Sequence, residues 1–198
     1  MEWMFECVSM GVRELRPHPH TLSLGLVNSM DNAILADLKF DATRGALLYN
    51  DVRYLLIRPE TLIAFQKAAE EKLGAGADEL LYAGGFTGGT LSAKKYREVF
   101  KLTDQQAIEF MAKMGTEIGW GKFTVSSFSV ANRTLELTVE SSPFAAAYGK
   151  ASRGVCHLIR GVFAGLASGI FGCDVISREE ECLAMGHTRC RFVIRGGT

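Results

Sequence analysis

Between Gly45 and Ile57 the chain alternates weakly between apolar and polar positions. The polar pair Asn50-Asp51 divides Ala46-Leu47-Leu48-Tyr49 from Val52-Arg53-Tyr54-Leu55-Leu56-Ile57. Alternation of period two around a short polar turn predicts a β-hairpin or strand pair. Pro59 suits the first turn of a helix, and Leu62, Phe65, Ala69 and Leu73 recur at helical spacing until Gly74 closes it. A second helix is expected after Asp78, a fair N-cap, running through Gly84, Gly85, Gly88 and Gly89 toward Val99. A third begins at Thr103-Asp104, with Ile108, Met111 and Met114 along one side. The stretches 122–130 and 133–139 alternate in period two and predict an antiparallel hairpin turned near Ala131-Asn132.

The last part of the chain carries the strongest pattern. Residues 152–171 read as one long helix, in which Gly161, Gly165 and Gly169 stand four apart and form a ridge. Each interior glycine costs about 1 kcal/mol against alanine, so something must approach that backbone closely, either another element or a bound molecule. A hairpin is expected next, with strands at 174–181 and 189–194 and a turn at Gly186-His187-Thr188. By contrast, the first forty residues read loosely. Arg16-Pro17-His18-Pro19-His20 interrupts regular structure twice. Residues 1–40 are therefore expected to form an arm on the body or on a partner subunit, and residues 41–198 the domain itself. His18 and His20 read as exposed loop histidines rather than metal ligands.

Composition narrows the partners. The chain has 198 residues, 47 % of them hydrophobic and 22 % charged, with 22 basic residues balancing 22 acidic ones. A net charge of zero gives no electrostatic basis for nucleic acid or an anionic membrane as the main partner. Met1 to Cys7 lacks the basic and apolar regions of a signal peptide. The most apolar run, Gly161 to Cys173, is shorter than the roughly 20 residues a bilayer span needs. A soluble, cytoplasmic protein is expected, with its five cysteines reduced.

Spacing decides what those thiols do. Gly84-Gly85-Phe86-Thr87-Gly88-Gly89-Thr90 lacks the Lys-Ser/Thr of a phosphate-binding loop and follows a helical run, so close packing or a kink explains it better. No nucleophile elbow and no His-Glu-x-x-His is present, and no histidine has a catalytic partner in sequence. Glu179-x-x-Cys182 and Cys190 instead lie on the two arms of one hairpin, with Cys156 entering from the start of the preceding helix. Thiolates suit zinc, and a carboxylate can supply a further tetrahedral position. His187 is a rival ligand, Asp174 and Cys173 are weaker ones, and unlinked buried thiols are the alternative to a metal.

The runs Cys156-His157-Leu158-Ile159-Arg160-Gly161, Gly165-Leu166-Ala167-Ser168-Gly169 and Glu179-Glu180-Glu181-Cys182-Leu183-Ala184-Met185-Gly186-His187-Thr188-Arg189-Cys190-Arg191-Phe192 resemble the signature of the 4-vinyl reductase domain family. They are similar to the zinc-containing sensor domains of phenol- and xylene-responsive activators. The resemblance implies a mixed α/β fold of the α+β type, with an antiparallel sheet packed against helices. Such a fold is related to the vesicle-tethering subunits of the TRAPP type and to the haem–nitric-oxide-binding fold. It implies a homodimer, an apolar ligand pocket, and a structural zinc ion on Cys156, Glu179, Cys182 and Cys190. The phenol sensors hold their ligand with a histidine and a tryptophan. Leu135 falls near the tryptophan's place, and no histidine lies between His20 and His157. A more apolar or larger ligand is therefore expected. With Thr198 as its last residue, the chain is expected to act without the ATPase and DNA-binding domains of those activators.

The function expected is a sensor or carrier for a hydrophobic or aromatic small molecule. Its pocket would be walled by the glycine ridge, including Gly165, and lined by Trp120, Phe123, Phe128, Phe144, Tyr148 and Phe163. Two other functions fit the resemblance: handling tetrapyrroles, or serving a vinyl reductase as accessory, and acting as a structural adaptor like the tethering subunits. Catalysis is not expected, since neither a redox-cofactor motif nor an acid–base pair is visible.

Overall fold

The computed structural model describes residues 32–98 and 100–197. His18, His20 and most of the expected arm lie outside the described residues. In chain order the elements are α1 (Ala33–Asp37), β1 (Lys39–Asp41), β2 (Ala46–Tyr49), β3 (Val52–Tyr54), α2 (Pro59–Leu73), α3 (Gly76–Glu98) and α4 (Asp104–Glu117). They continue with β4 (Lys122–Ser129), β5 (Thr134–Glu140), α5 (Pro143–Tyr148), α6 (His157–Phe171), β6 (Val175–Glu181) and β7 (Cys190–Gly196). Among the described residues, no helix is long and apolar enough to cross a membrane.

Two antiparallel sheets form. The smaller has the order β1-β2-β3, and the larger β4-β5-β7-β6. In the smaller sheet the turn between β2 and β3 places Asn50 at φ 47° and Asp51 at φ 61°. These are the left-handed values that a two-residue hairpin needs and that Asn and Asp tolerate. In the larger sheet Leu135, Leu137 and Val139 of β5 and Phe192 and Ile194 of β7 are completely buried. These two central strands meet Ile159, Phe163 and Leu166 of α6, also buried, so the core lies between the sheet and that helix. Truncating one such residue, Leu137→Ala for instance, belongs to the class that costs about 2–5 kcal/mol.

The glycine ridge of α6 meets a helix. A Cβ built at Gly161 would stand 2.2 Å from the Tyr82 carbonyl oxygen, and one at Gly165 2.0 Å from that of Phe86. From the other side, a Cβ at Gly85 would stand 2.3 Å from the Leu158 oxygen and one at Gly89 1.9 Å from the Val162 oxygen. Two glycine pairs, each four residues apart, thus let α3 and α6 touch backbone to backbone. The glycine-rich stretch of α3 is this seam, and the helix runs through it unbroken.

Local signals explain the remaining starts and stops. α4 opens on a capping box, in which Gln106 N–H donates to Thr103 Oγ1 at 3.3 Å and Thr103 N–H to Gln106 Oε1 at 2.9 Å. Thr103→Ala is expected to cost about 1 kcal/mol, read as a lower urea midpoint with an unchanged slope. Three elements go beyond the sequence expectations. α1 and β1 occupy part of the stretch read as loose, and Asn32 of the α1 N-cap reaches the Glu117 carbonyl at 2.8 Å. α5 starts at Ser142-Pro143, with the Ser142 hydroxyl accepting from Ala145 N–H at 3.4 Å. α6 begins at His157 rather than Ser152, because Val155 and Cys156 remain extended and buried ahead of it.

Candidate metal centre and pockets

The residues flanking α6 and the β6–β7 hairpin bring four donors together. Cys156 is the N-cap of α6, Glu179 lies on β6, Cys182 follows β6, and Cys190 opens β7. Their donor atoms all lie within 4.8 Å of one another. Cys156 Sγ is 3.8 Å from Cys190 Sγ, which is 3.9 Å from Cys182 Sγ. These separations are far beyond an S–S bond. They match the edge of a tetrahedron about 3.8 Å long, which thiolates at about 2.3 Å from one zinc ion would span.

A feature of β6 makes this convergence possible. Residues three apart in a regular strand point to opposite faces, so Glu179 and Cys182 would diverge. The pairing of β6 with β7 shifts between Glu179 and Glu181, where two residues on β6 occupy the space of one. That bulge reverses the parity, and both side chains turn inward. A 3-10 turn at Leu183–Met185 follows, and Gly186 at φ 93° closes it. Glu179 also needs Gly154, where a Cβ would stand 2.6 Å from the carboxylate.

The site is dry. Cys156, Cys182 and Cys190 are at most 1 % exposed. Cys156 N–H donates to Glu179 Oε2 at 2.9 Å, while Glu179 Oε1 is buried without a partner. Burial pushes the Glu179 carboxyl up to about 8, the neighbouring Cys182 adding to the rise. Hydrogen bonds from Cys156 and then Cys190 hold the Cys182 thiol far below its ordinary value. The bond to Cys182, the bond to Cys190 and burial raise Cys156 well above it. At Cys190 the bond with Cys156 pulls downward, but the bond with Cys182 and burial outweigh it, and the thiol stands at about 12. Without a cation the cluster therefore supports one thiolate. A dication is what would let all four donors ionise together. The orphaned carboxylate oxygen and the sulfur spacing both fit zinc.

The rivals lie elsewhere. His187 is exposed in the turn, with Nδ1 3.2 Å from the Cys182 carbonyl. Cys173 is half-buried at the opposite end of β6, beside Gly196. Behind Glu179 a polar cavity of about 440 Å³ is bordered by Asp78, Arg153, His157 and Arg160. There His157 Nε2 lies 3.3 Å from Asp78 Oδ1, and Arg153 pairs with both Asp78 and Glu70. Sequence reasoning did not single out this group, whose members are spread over α2, α3 and α6 and carry no common spacing.

The expected pocket residues separate. Trp120 packs edge-on to Phe144 at 5.3 Å, Phe123 stacks on Phe163 at 5.4 Å, and Phe128 stacks on Phe171 at 6.0 Å. Tyr148 donates to Glu70 Oε2 at 2.6 Å, and Gly165 lies against the α3 backbone. Phe123 and Phe128 also border a groove of about 530 Å³ between α4 and β4. A smaller, mainly apolar pocket of about 230 Å³ lies where the β2–β3 hairpin meets α3 and α4, with Tyr49, Tyr54, Tyr96, Phe100 and Met114 in its wall. Nothing in the sequence pointed to it, because its tyrosines come from three separate elements.

Comparison with known proteins places this geometry. The family model of the 4-vinyl reductase (V-4-R) domain matches residues 135–196, from β5 through α6 to the end of β7. No curated protein matches the sequence. Among solved structures, the phenol-responsive sensory domain of the transcription activator PoxR, crystallised with phenol, is similar over 83 % of this chain and 87 % of its own. Its TM-score is 0.73 and its identity 24 %. A vinyl-4-reductase family protein from Methanocaldococcus jannaschii is similar over 73 % of this chain and 85 % of its own, at a TM-score of 0.53 and 20 % identity. A trafficking protein particle complex subunit 3 from Naegleria fowleri, covalently bound to palmitic acid, covers 71 % and 95 %, at 0.51 and 13 %. At these identities the likeness shows a shared fold, the mixed α/β arrangement of antiparallel sheet and helices expected from the sequence. Residues 135–196 are thus a domain of the 4-vinyl reductase family, the one that the cysteine-bearing hairpin resembles.

Proposed function

We propose that this chain is a sensor or carrier domain that binds a small hydrophobic or aromatic molecule, with a structural zinc ion held by Cys156, Glu179, Cys182 and Cys190. The observation that carries the reading is a fold shared over 83 % of the chain with a sensory domain solved with phenol. The four convergent donors support the metal. Zinc would supply a cross-link among α6, β6 and β7. With four protein donors it keeps no open position for water, so its role is to hold the hairpin on the helix. In this reading residues 1–40 are an arm, residues 41–198 bind the ligand, and the protein works as a cytoplasmic homodimer without a nucleic-acid or membrane partner.

The pocket dimensions favour a small ligand over a tetrapyrrole, whose macrocycle exceeds an apolar space of about 230 Å³. One observation favours the adaptor reading as the second choice. Leu55, Leu56 and Ile57 are 78 %, 87 % and 51 % exposed, and Phe65 on α2 is 59 % exposed. Apolar side chains presented in this way suit a protein–protein contact, with a second copy in a homodimer or with another chain.

Native mass spectrometry before and after denaturation tests the proposal. The expected spectrum shows one zinc per subunit and a further small-molecule mass, both lost on denaturation. Zinc without any ligand would favour the adaptor. A bare chain, purified without chelator, would sink the metal assignment.

A further inference from the structure

The pocket between the β2–β3 hairpin, α3 and α4 has a chemistry that narrows its occupant. Its body is aromatic. Tyr49 and Tyr54 meet edge to face at 6.3 Å, and Tyr96 stacks on Phe100 at 5.8 Å. Its volume of about 230 Å³ exceeds the roughly 150 Å³ that accommodates benzene in an apolar cavity, leaving room for one ring and a substituent.

The polar groups in its wall are mostly donors. Tyr54 Oη donates to Met114 Sδ at 3.6 Å, and Tyr96 Oη donates to the same sulfur at 3.5 Å. A thioether is a weak acceptor, so both hydroxyls are under-used. Burial holds the Tyr96 phenol well above its ordinary range, which keeps its proton in place for donation. At the rim, Lys95 Nζ donates to the Asn50 carbonyl at 3.3 Å and stands 5.9 Å from the Phe100 ring centre. That single bond leaves two of the three ammonium protons for another acceptor. Neither Asp nor Glu lines the pocket. A wall with an ammonium, two weakly bonded hydroxyls and no carboxylate is complementary to a ligand that only accepts.

We propose that this pocket binds a monocyclic aromatic carboxylate, with the ring among Tyr49, Tyr54 and Phe100 and the carboxylate on Lys95. The assignment rests on the reading of the chain as a small-molecule binder. It adds the site, which differs from the sheet-facing aromatics expected from sequence, and it adds the anionic class of the ligand.

Titration calorimetry of the full zinc-loaded chain tests this, with benzoate and toluene as probes that share a ring and differ in the carboxylate. Benzoate is expected to bind one to one and more tightly than toluene. Lys95→Met should weaken benzoate about tenfold, as loss of a partly desolvated charge pair does, and leave toluene unchanged. Lys95 is half-buried and its ammonium bonds one turn carbonyl, so this variant tests the site without endangering the fold. Ser92→Trp should fill the pocket and block both probes, with its folding checked by circular dichroism. Toluene binding without benzoate binding would overturn the anionic class. Benzoate binding that ignores both variants would overturn the site. If neither probe binds, the inference fails, whereas a small molecule retained in native mass spectra of Ser92→Trp would keep the small-molecule reading and place its site elsewhere.

Discussion

Cys182→Ser is expected to strip zinc from the protein and lower its melting temperature by about 10 °C. Cys182 is the thiol that its two sulfur neighbours already favour as thiolate, and it is completely buried between β6 and the 3-10 turn. A serine hydroxyl does not ionise near neutral pH and is a poor zinc ligand, so Cys156, Cys190 and Glu179 would be left facing one another without a cation. Loss of a structural metal belongs among the largest single-residue effects, about 3 kcal/mol or more. A domain of this size shifts by about 2–4 °C per kcal/mol, which gives the expected fall. Cys173→Ser is the control. That sulfur is half-buried and lies outside the cluster, so zinc content and melting should both hold. A Cys182→Ser protein with full zinc and an unchanged melting curve would remove this residue from the ligand set.

The second large effect concerns the α3–α6 seam. Gly165→Ala would place a methyl carbon 2.0 Å from the Phe86 carbonyl oxygen and 2.8 Å from its carbonyl carbon. Both obstacles are backbone, so no side-chain rotation relieves them and the two helices must part. Overpacking of this kind costs about 1–3 kcal/mol and sometimes more. The gain of about 1 kcal/mol that alanine brings to a helix offsets only part of it. We expect a net loss of about 2 kcal/mol, measured by chemical denaturation. Gly88→Ala, one position along α3 from the seam, meets nothing within 4 Å and should stabilise by up to about 1 kcal/mol. If both variants behave alike, the glycines act through propensity and not through close approach.

Much of the architecture was legible from local chemistry. Asn50-Asp51 marked the β2–β3 turn, Pro59 and Gly74 bracketed α2, Thr103 opened α4, and the period-two runs gave β4 and β5. Each is a signal in which a few neighbouring residues fix the backbone. The misses were of another kind. α1 and β1 are too short for periodicity to register, and the start of α6 moved because Cys156 takes an extended capping position ahead of it.

What the sequence determined by itself was the chemistry available: three cysteines and a glutamate flanking one hairpin, two glycine ridges, and a balanced charge that gives nucleic acid no hold. What only the tertiary structure decided was where those groups point. Glu179 and Cys182 share a face because β6 carries a bulge, and nothing in the spacing Glu-x-x-Cys announces an extra residue in a strand pairing. The glycines of α6 lie against α3, and the aromatics near the sheet fill the core with one another. The donor-rich pocket arises among Tyr49, Tyr54 and Tyr96, which stand far apart along the chain. Local sequence sets backbone preference over a few residues. Contact between distant faces depends on strand parity, helix approach and competition for the same buried volume, and those are settled only when the whole chain packs.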